Sequence, residues 1–509
     1  MKSWRGVPVL MFMLSGVVVG CGPGPEDEVA VAAPESEAAD AAATGASGPE
    51  LLANRWEVCD DVARRVPGIS GAVDSGEAPP VHGHRRLFFV ASDEAHGPEL
   101  WATTGEASDT ALVKDVWPGR QGSTPRHLTA MGRWVYFVAA DENHGPELWR
   151  TDGTEKGTEL VRDIQPGPVG SAPDALTVVE GALYFTAYDE VHGRELWRSD
   201  GTEKGTVLVR DFVPGPRPGP NSYSEGLTQL TAWDKGLALV AYAHGQPAVL
   251  WWVDRKGRAS PLFSLDYGAF LELEPAGRQL FFTVDAGTDE ADLWVTRSSP
   301  GSATKLRHFP GEYPSYFTAM GDAVYFVAGG EGWFGPGDPE HGSELWTSDG
   351  TEEGTRLLRD ISPGPESAFS FEFLPQFVTT EGVLYFVAHH REYGRELWRS
   401  DGTPAGTSLV RDVVPGEAGS APSHLAADSG WVFFSADTPG EGREAWYSSG
   451  RFWDTKPLAD LSPGTASSNP RYFVRSGWDI FFIASDAMGG QELWSVPFRP
   501  AARCGERNP

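Results

Sequence analysis

One recurring string constrains the fold of this chain more than any other feature. It reads ELWRTDGTEKGTELVRDI over residues 147–164, and close copies begin at Glu195, Glu344 and Glu396. Weaker copies fill the gaps, so units follow one another at intervals of 43 to 54 residues. This spacing is typical of propeller blades rather than of helical solenoids. The tryptophans that mark the units are Trp101, Trp149, Trp197, Trp251, Trp294, Trp346, Trp398, Trp446 and Trp494.

Each unit contains four short segments with strand composition. An aromatic and β-branched run such as residues 135–139 precedes ELW, ELWRT and ELVRDI follow, and a stretch such as residues 127–131 supplies the fourth. Four antiparallel strands bury both faces only if units stack, and a closed ring protects the edges. The sequence predicts an all-β fold, a closed β-propeller over residues 51–504. Nine units predict nine blades, or eight if one of the diverged fourth and fifth units is displaced.

The two ends of the repeat region complement each other. The last unit lacks an ELVRDI strand, whereas residues 58–62 form a spare one that aligns with residues 160–164. We expect this N-terminal strand to complete the last blade and close the ring. Cys59 and Cys504 would then lie close together, and an exported protein can keep a disulfide between them. The alternative is two free thiols.

The first fifty residues indicate export. Lys2 and Arg5 precede an apolar run at residues 7–19 that is too short to span a bilayer, as in a secretory signal over residues 1–20. The string ending in Cys21 resembles a bacterial lipobox, which implies lipidation of Cys21; an ordinary signal with a chance cysteine is the alternative. Residues 21–50 are acidic and rich in Ala, Pro and Gly, which predicts a disordered tether. Residues 505–509 form a tail.

Charge and missing motifs limit the classes of function. The formal net charge is -30, which disfavours nucleic acid as a partner and leaves cations, basic partners and glycans open. The chain carries no phosphate loop, HExxH, GxSxG or CxxC pattern, which lowers the expectation of an enzyme. We assign no cofactor, and Ca²⁺ stays open.

The string ELWRTDGTEKGT resembles the bacterial ELWxxDGT repeat proteins, which are extracellular chains common in myxobacteria. The resemblance covers most of residues 87–496 and is complete in the second, third, sixth and seventh units. It implies an exported compartment and a repeat architecture, and it implies no chemistry. Since Gly22 is not the acidic residue associated with inner-membrane retention of lipoproteins, the outer membrane or cell surface is the expected location.

The residues of the motif have structural interpretations. The recurring tryptophan is expected to pack between adjacent sheets, with a row of sugar-stacking tryptophans as the alternative. Asp152 and Gly153 predict a turn with a left-handed residue, and Thr154 and Thr158 can hydrogen-bond inside that loop.

Two recurring features could carry chemistry. An aspartate precedes each Pro-Gly turn and could form a circle of Ca²⁺ ligands facing the channel; alternatively each caps its own turn or pairs with the arginine before it. Histidines of the Asp-x-x-His loops could bind metal, although a hydrogen bond to the neighbouring blade is the favoured interpretation. The histidines are His96, His144, His192 and His341. The aspartates are Asp61, Asp115, Asp163, Asp211, Asp360, Asp412 and Asp460.

Departures from the repeat are the candidate binding loops, because binding residues are usually placed on the loops of a regular scaffold. The longest are residues 213–226 and 329–340, and Trp333 and Phe334 in the second could contact a sugar or a peptide. We expect a surface lipoprotein that binds an extracellular protein or glycan. The alternatives are a polysaccharide hydrolase or lyase with a loop-built site, and a Ca²⁺-stabilised structural module.

Overall fold

The computed structural model describes the repeat region almost throughout. The described residues are 56–58, 63–66, 73, 78–106, 108–214, 226–243, 245–266, 268–285, 290–329, 338–370, 374–485 and 490–500. By its contacts the chain divides into two units, Met1–Ala53 and Asn54–Pro509, and the first lies outside this part. Cys21, Cys59, Cys504, Asp61, Trp333 and Phe334 also lie outside it.

Nine antiparallel sheets follow one another along the second unit and form the blades of a β-propeller. Two short N-terminal strands come first, β1 (Trp56–Val58) and β2 (Arg64–Arg65). The first three blades consist of β3 (Val81–Gly83), β4 (Arg86–Asp93), β5 (Gly97–Thr103) and β6 (Ala111–Leu112); β7 (Arg126–Met131), β8 (Trp134–Ala139), β9 (Glu147–Thr151) and β10 (Glu159–Arg162); and β11 (Asp174–Val179), β12 (Ala182–Asp189), β13 (Gly193–Ser199) and β14 (Val207–Arg210).

The next three blades include the two that diverge most from the repeat, and both are complete. They consist of β15 (Gly226–Trp233), β16 (Gly236–Tyr242), β17 (Ala248–Asp254) and β18 (Ala259–Leu265); β19 (Phe270–Ala276), β20 (Gln279–Asp285), β21 (Glu290–Thr296) and β22 (Thr304–Pro310); and β23 (Ser315–Met320), β24 (Ala323–Ala328), β25 (Glu344–Ser348) and β26 (Arg356–Arg359).

The last three blades end with the sheet that receives the N-terminal strands. They consist of β27 (Phe377–Thr380), β28 (Val383–His390), β29 (Gly394–Ser400) and β30 (Ser408–Arg411); β31 (Ser423–Asp428), β32 (Trp431–Thr438), β33 (Gly442–Ser448) and β34 (Lys456–Ala459); and β35 (Arg471–Ser476), β36 (Asp479–Ser485) and β37 (Gln491–Pro500). The prediction of nine four-stranded units is confirmed, and the eight-bladed alternative is not what the structure contains.

Within each blade the strands run outward from the axis in chain order. The first strands of neighbouring blades contact one another, as β7 contacts β11 and β3 contacts β35, which places them innermost. The strand that carries the ELVRD sequence is therefore outermost. The one helix among the described residues is a 3-10 turn at Phe452–Asp454, and no helix there has the length and hydropathy needed to cross a bilayer.

The ninth blade takes its outer edge from the N-terminus, in a register different from the predicted one. Arg65 of β2 pairs with Trp494, as Leu160 pairs with Trp149 in the second blade. Residues 64–66 are thus the counterparts of residues 159–161, and the predicted alignment of residues 58–62 was wrong by seven positions. Strand β1 pairs farther along β37, with Val58 opposite Phe498. The N-terminal segment therefore pairs with β37 in two places, through β2 opposite Trp494 and Ser495 and through β1 opposite Phe498 to Pro500.

Most inner strands contain a β-bulge that the sequence did not reveal. The register of β23 shifts between Ser315 and Thr318, and Tyr316 there takes a left-handed φ of 58°. A bulge leaves a backbone N–H without a ladder partner. The previous blade satisfies it, because Glu272 accepts hydrogen bonds from Tyr316 N at 3.0 Å and from Phe317 N at 3.1 Å.

The recurring tryptophan packs between adjacent sheets, as predicted. Trp197 of the third blade is 6% exposed and packs in one cluster with Tyr136 and Leu148 of the second blade. The guanidinium of Arg162, on the outer strand of the second blade, lies 5.7 Å from the Trp197 ring, and its Nη1 donates to the carbonyl oxygen of Thr206. Corresponding cation and tryptophan pairs are Lys114 with Trp149, Arg210 with Trp251, and Arg307 with Trp346. Six of the nine recurring tryptophans are buried and the other three, Trp251, Trp294 and Trp494, are partly buried in the same kind of cluster, so they do not form an exposed row for stacking sugars.

We expect Trp197→Ala to lower the free energy of unfolding by about 3–5 kcal/mol, because it opens a cavity between two blades. Urea unfolding followed by intrinsic fluorescence measures the change. The control is Trp453→Ala, since that side chain is 53% exposed and should cost within about 0.5 kcal/mol. Equal losses for the two variants would contradict the packing role.

Candidate functional site

The Asp-Gly-Thr loop is a self-contained hydrogen-bonded unit between the third and fourth strands. Asp152 Oδ1 accepts hydrogen bonds from the Thr154 backbone N–H at 3.1 Å and from its hydroxyl at 2.7 Å. Thr158 Oγ1 donates to the Thr154 carbonyl at 2.7 Å. Gly153 has a left-handed φ of 87°, as predicted. A side chain at Gly157 would place its Cβ 2.0 Å from Asp152 Oδ1, which explains the second glycine.

The glutamate of ELW clamps the loop that leads to the next blade. Glu147 is fully buried, and its Oε1 accepts hydrogen bonds from the backbone N–H groups of Gln165 at 3.0 Å and Ser171 at 2.8 Å. The Ser171 hydroxyl donates to Oε2 at 2.5 Å. The same glutamate and serine pairs, with a hydroxyl contact of 2.5 Å in each, are Glu99 with Ser123, Glu396 with Ser420, and Glu444 with Ser468.

Burial dominates the electrostatics of these glutamates. Desolvation raises the pKa of Glu147 to about 7 and that of Glu396 to about 7, although the hydrogen bonds oppose the shift. Glu344 lacks the hydroxyl donor, because Ala368 stands where the first, second, seventh and eighth blades have serine. Desolvation raises the pKa of Glu344 to about 8. The sixth blade therefore shows how the buried glutamate behaves without the serine hydroxyl that Glu147 has.

The Asp-x-x-His loops are local turns. Asp141 Oδ1 accepts hydrogen bonds from the backbone N–H groups of Asn143 and His144, each at 2.8 Å, and His144 Nδ1 lies 2.9 Å from the same oxygen. The hydrogen bond to Asp141 raises the pKa of His144. The pairs Asp93 with His96, Asp189 with His192, and Asp338 with His341 repeat the contact. The predicted hydrogen bond to a neighbouring blade was wrong, since the aspartate three residues earlier is the partner.

The described aspartates before the Pro-Gly turns, from Asp115 to Asp460, follow the outer strands of their blades and therefore lie away from the channel, while Asp61 lies outside the described residues. His144 Nε2 lies 3.7 Å from Asp163 Oδ2. The Pro-Gly turn is held by Glu147 instead of Asp163, and Arg162 extends to the next blade instead of pairing with its neighbour. At Asp163, therefore, neither predicted structural role is found, whereas at Asp360 the preceding Arg359 does interact electrostatically with the carboxylate.

One carboxylate oxygen of these aspartates is buried without a hydrogen-bond partner in the described part of the chain. The atoms are Oδ1 of Asp115, Asp163, Asp211, Asp360 and Asp412. Among the residues that the structure describes, no three His, Cys, Asp or Glu side chains converge in a way that could hold a metal ion. The unpaired oxygens therefore favour the Ca²⁺ hypothesis, whereas the described residues contain no cluster of ligands that would complete a Ca²⁺ site.

A cavity of about 450 Å³ lies at the outer seam between the second and third blades. Its lining includes Glu159, Asp163 and Glu203, together with Arg150 and Arg162. Arg150 Nη2 donates to Glu159 Oε1 at 2.5 Å, so acidic and basic groups alternate along the wall. Such a mixed lining is typical of a solvated seam, and it gives the hydrolase hypothesis no support.

Comparison with known proteins assigns the chain to no family and gives distant structural likenesses. No family model matches the chain, and no curated protein matches it. It resembles a prolyl endopeptidase structure with 14% identity and a TM-score of 0.40, covering 85% of this chain and 55% of that one. It resembles a puromycin hydrolase with 15% identity and a TM-score of 0.36, covering 72% and 59%.

A third similar structure is the β-propeller domain of the Trilobed protease from Pyrococcus furiosus. The identity is 11% and the TM-score 0.34, and the match covers 64% of this chain and 94% of that domain. This chain thus spans less than two thirds of the first two structures. At these values no activity or substrate is inferred from the likeness.

The clamp glutamate is the residue that sequence reasoning missed. The signal was present, because a charged residue inside an apolar strand recurs with a serine 24 positions later, as in Glu147 and Ser171. Trp333 and Phe334, the predicted binding aromatics, lie outside the described residues, so their role stays a prediction.

We expect Ser171→Ala to lower the free energy of unfolding by about 1–3 kcal/mol, because it leaves a buried carboxylate oxygen without its hydroxyl donor. Urea unfolding measures the loss. Ser108→Ala, at an exposed serine of the first blade, is the control and should change little. An unchanged free energy of unfolding in Ser171→Ala would show that the contact between Glu147 and Ser171 does not stabilise the fold.

We expect Ala368→Ser to reduce the loss of stability at high pH. The pKa of Glu344 is raised in the folded state from 4.5 to about 8, so its contribution is fully present below 4.5 and lost as the pH rises through about 8. A serine hydroxyl would favour the ionised form and lower that pKa. The melting temperature should fall less between about pH 6 and pH 9 than in the wild type. Ala405→Ser, at an exposed position, should keep the wild-type fall, and equal falls in all three proteins would contradict the idea.

Proposed function

We propose that this chain is an exported, lipid-anchored propeller of the ELWxxDGT type that binds an extracellular ligand or protein partner. The observation that carries the proposal is the constancy of the loop frame. Glu99, Glu147, Glu396 and Glu444 hold the same connection through the same contacts in four blades. A loop whose backbone is fixed from inside its blade can vary its outer residues without loss of shape, which suits a binding scaffold.

A glycan and peptide array tests this function with residues 51–509 as the probe. Reproducible binding of one ligand class is the expected result. If a folded probe binds no ligand on the array, the proposal is contradicted. Replacement of Trp333 and Phe334 by serine in a second probe tests whether that loop takes part.

The anchor rests on Cys21, and outer-membrane or surface location is part of the proposal. We expect the wild type to incorporate labelled palmitate and to partition into detergent, whereas Cys21→Ser should do neither, because the acylated sulfur is absent. Gly22→Asp is the matched control. It should keep the label and move the protein to the inner membrane, and labelling of Cys21→Ser would contradict lipidation.

Closure of the ring by the N-terminal strands belongs to the proposal as well. The pairing of Arg65 with Trp494 supports it, as do the Arg65 Nη2 to Glu492 Oε1 contact of 2.5 Å and the His82 Nδ1 to Ser476 Oγ contact of 2.9 Å. A Cys59–Cys504 disulfide would fasten the same seam. Peptide mapping without reductant should recover the two cysteines in one crosslinked peptide, and two free thiols would contradict it.

A Ca²⁺-stabilised structural module is the second candidate. It is favoured by the buried, unpartnered Oδ1 atoms of aspartates such as Asp163 and Asp412. A lower melting temperature in EDTA, restored by Ca²⁺ and not by Mg²⁺, is the expected result. An unchanged melting temperature would leave these oxygens without a role in metal binding.

A further inference from the structure

The eighth blade departs from the repeat at two adjacent loop positions. Phe452 and Trp453 stand where the second blade has Glu155 and Lys156 and the third has the same charged pair. Both are on the connection between the third and fourth strands, in the 3-10 turn Phe452–Asp454. Two aromatic side chains thus replace two charged ones at the outer end of a repeated loop.

The loop frame is unchanged by this replacement. Ser448 Oγ lies 2.8 Å from Thr455 Oγ1, and the equivalent Thr151 to Thr158 distance in the second blade is 2.7 Å. Thr455 Oγ1 donates to the carbonyl of Arg451 at 2.9 Å, as Thr158 donates to that of Thr154. The same frame forms around charged residues elsewhere, so the aromatic pair is not required for the loop to fold.

The pair is exposed to solvent. Phe452 is 59% exposed and Trp453 is 53% exposed, while other exposed large apolar side chains in the described ranges, such as Val191 and Leu374, stand singly. Aromatic side chains bury a large area when they are covered, and exposed apolar patches mark interaction sites. Since the fold does not need them, the pair is best explained by a ligand.

The surroundings of the pair are basic in a strongly acidic chain. The guanidinium of Arg411 lies 5.0 Å from the Phe452 ring, and its Nη1 donates to the Thr455 carbonyl at 2.6 Å. Arg451 and Lys456 are exposed beside it. The nearby Asp454 is buried and accepts a hydrogen bond from Ser449 Oγ at 3.0 Å, so its carboxylate is directed into the loop, and the exposed charged side chains next to the pair in sequence are basic. The formal charge of the whole chain is -30.

We propose that Phe452 and Trp453 form a stacking platform for an acidic polysaccharide, with Arg451 and Lys456 facing its carboxylates. This assignment rests on the proposed binding function and names a ligand class and a site for it. Aromatic faces accept the apolar side of a sugar ring, and basic side chains at the edge select for negative charge.

The geometry favours a polysaccharide over a protein partner or a membrane surface as the ligand of this pair. A stable protein interface needs about 800 Å² from each partner, and an apolar area of two side chains is much smaller. Insertion into a membrane would draw the Arg411 guanidinium, which is fixed over Phe452, toward the hydrocarbon at a high cost in desolvation. Stacking of a sugar on Trp453 leaves that guanidinium in water.

The test uses residues 51–509 and the double variant Phe452→Glu with Trp453→Lys, which copies the charged pair of the second blade without changing net charge. Calorimetric titration with polygalacturonate and alginate should give binding to the wild type that weakens with salt. The variant should bind at least about tenfold more weakly, because aromatic anchors carry most of a small interface. Glu155→Gln with Lys156→Gln, at the same positions of the second blade, should bind like the wild type.

Several outcomes would overturn the inference. Equal binding by the double variant would show that the acidic polymer is held elsewhere, while the general binding function would stand. Stronger association with vesicles of anionic lipid than with either polymer would assign the pair to a membrane surface. If neither polymer binds, but the wild type and the double variant both bind an array ligand, the site at Phe452 and Trp453 is wrong and the general binding function stands. If no ligand binds in calorimetry or on the array, the binding function is wrong as well.

Discussion

The contact between neighbouring blades is the interaction on which the rest of this structure depends. A single blade has two apolar faces, and each must be covered by another sheet. Trp197 fills the gap between two sheets, and Arg162 from the preceding blade covers its ring and reaches a carbonyl beyond it. The contact thus combines apolar burial with a directed bond. It fixes both the separation of two blades and their relative height.

A second set of contacts acts inside each blade and leaves the outer loop residues free. Glu147 holds the connection to the next blade on one side, and the Asp152 and Thr158 bonds hold the connection on the other. These contacts keep both loops in place whatever residues occupy their outer positions. The repeat residues therefore determine the frame, and any specificity comes from the positions where a blade departs from its siblings.

The sequence was sufficient for the fold because its signals were periodic. Strand composition, turn residues and the spacing of Trp149 and its counterparts all recur, so each unit supported the assignment of the others. The site chemistry depended on long-range partners that spacing alone did not assign. Asp163 looked like the residue that holds the Pro-Gly turn, but the backbone there donates to Glu147, which lies on another strand.

The wrong register predicted for the N-terminal strand and the missed bulge also arose because sequence spacing does not assign long-range partners. Residues 58–62 resemble an outer strand in composition, yet Arg65 is the residue that occupies the equivalent position in the ninth blade. An edge strand with one partner has a weakly specified register, since a slip changes few side-chain contacts. The bulge at Tyr316 escaped notice because a left-handed tyrosine has no distinctive sequence pattern.

The pairing of β1 and β2 with β37 has a mechanical consequence. Every other outer strand is joined to its blade by a covalent hairpin, whereas in the described residues these two are held to the ninth sheet by backbone pairing and by the Arg65 to Glu492 ion pair. A force applied to the N-terminal side of the chain enters the ring at this sheet, directed along antiparallel strands. When force acts along the strands, the hydrogen bonds between them carry the load together and break together rather than one after another. The ninth blade would thus bear tension before any of the other eight.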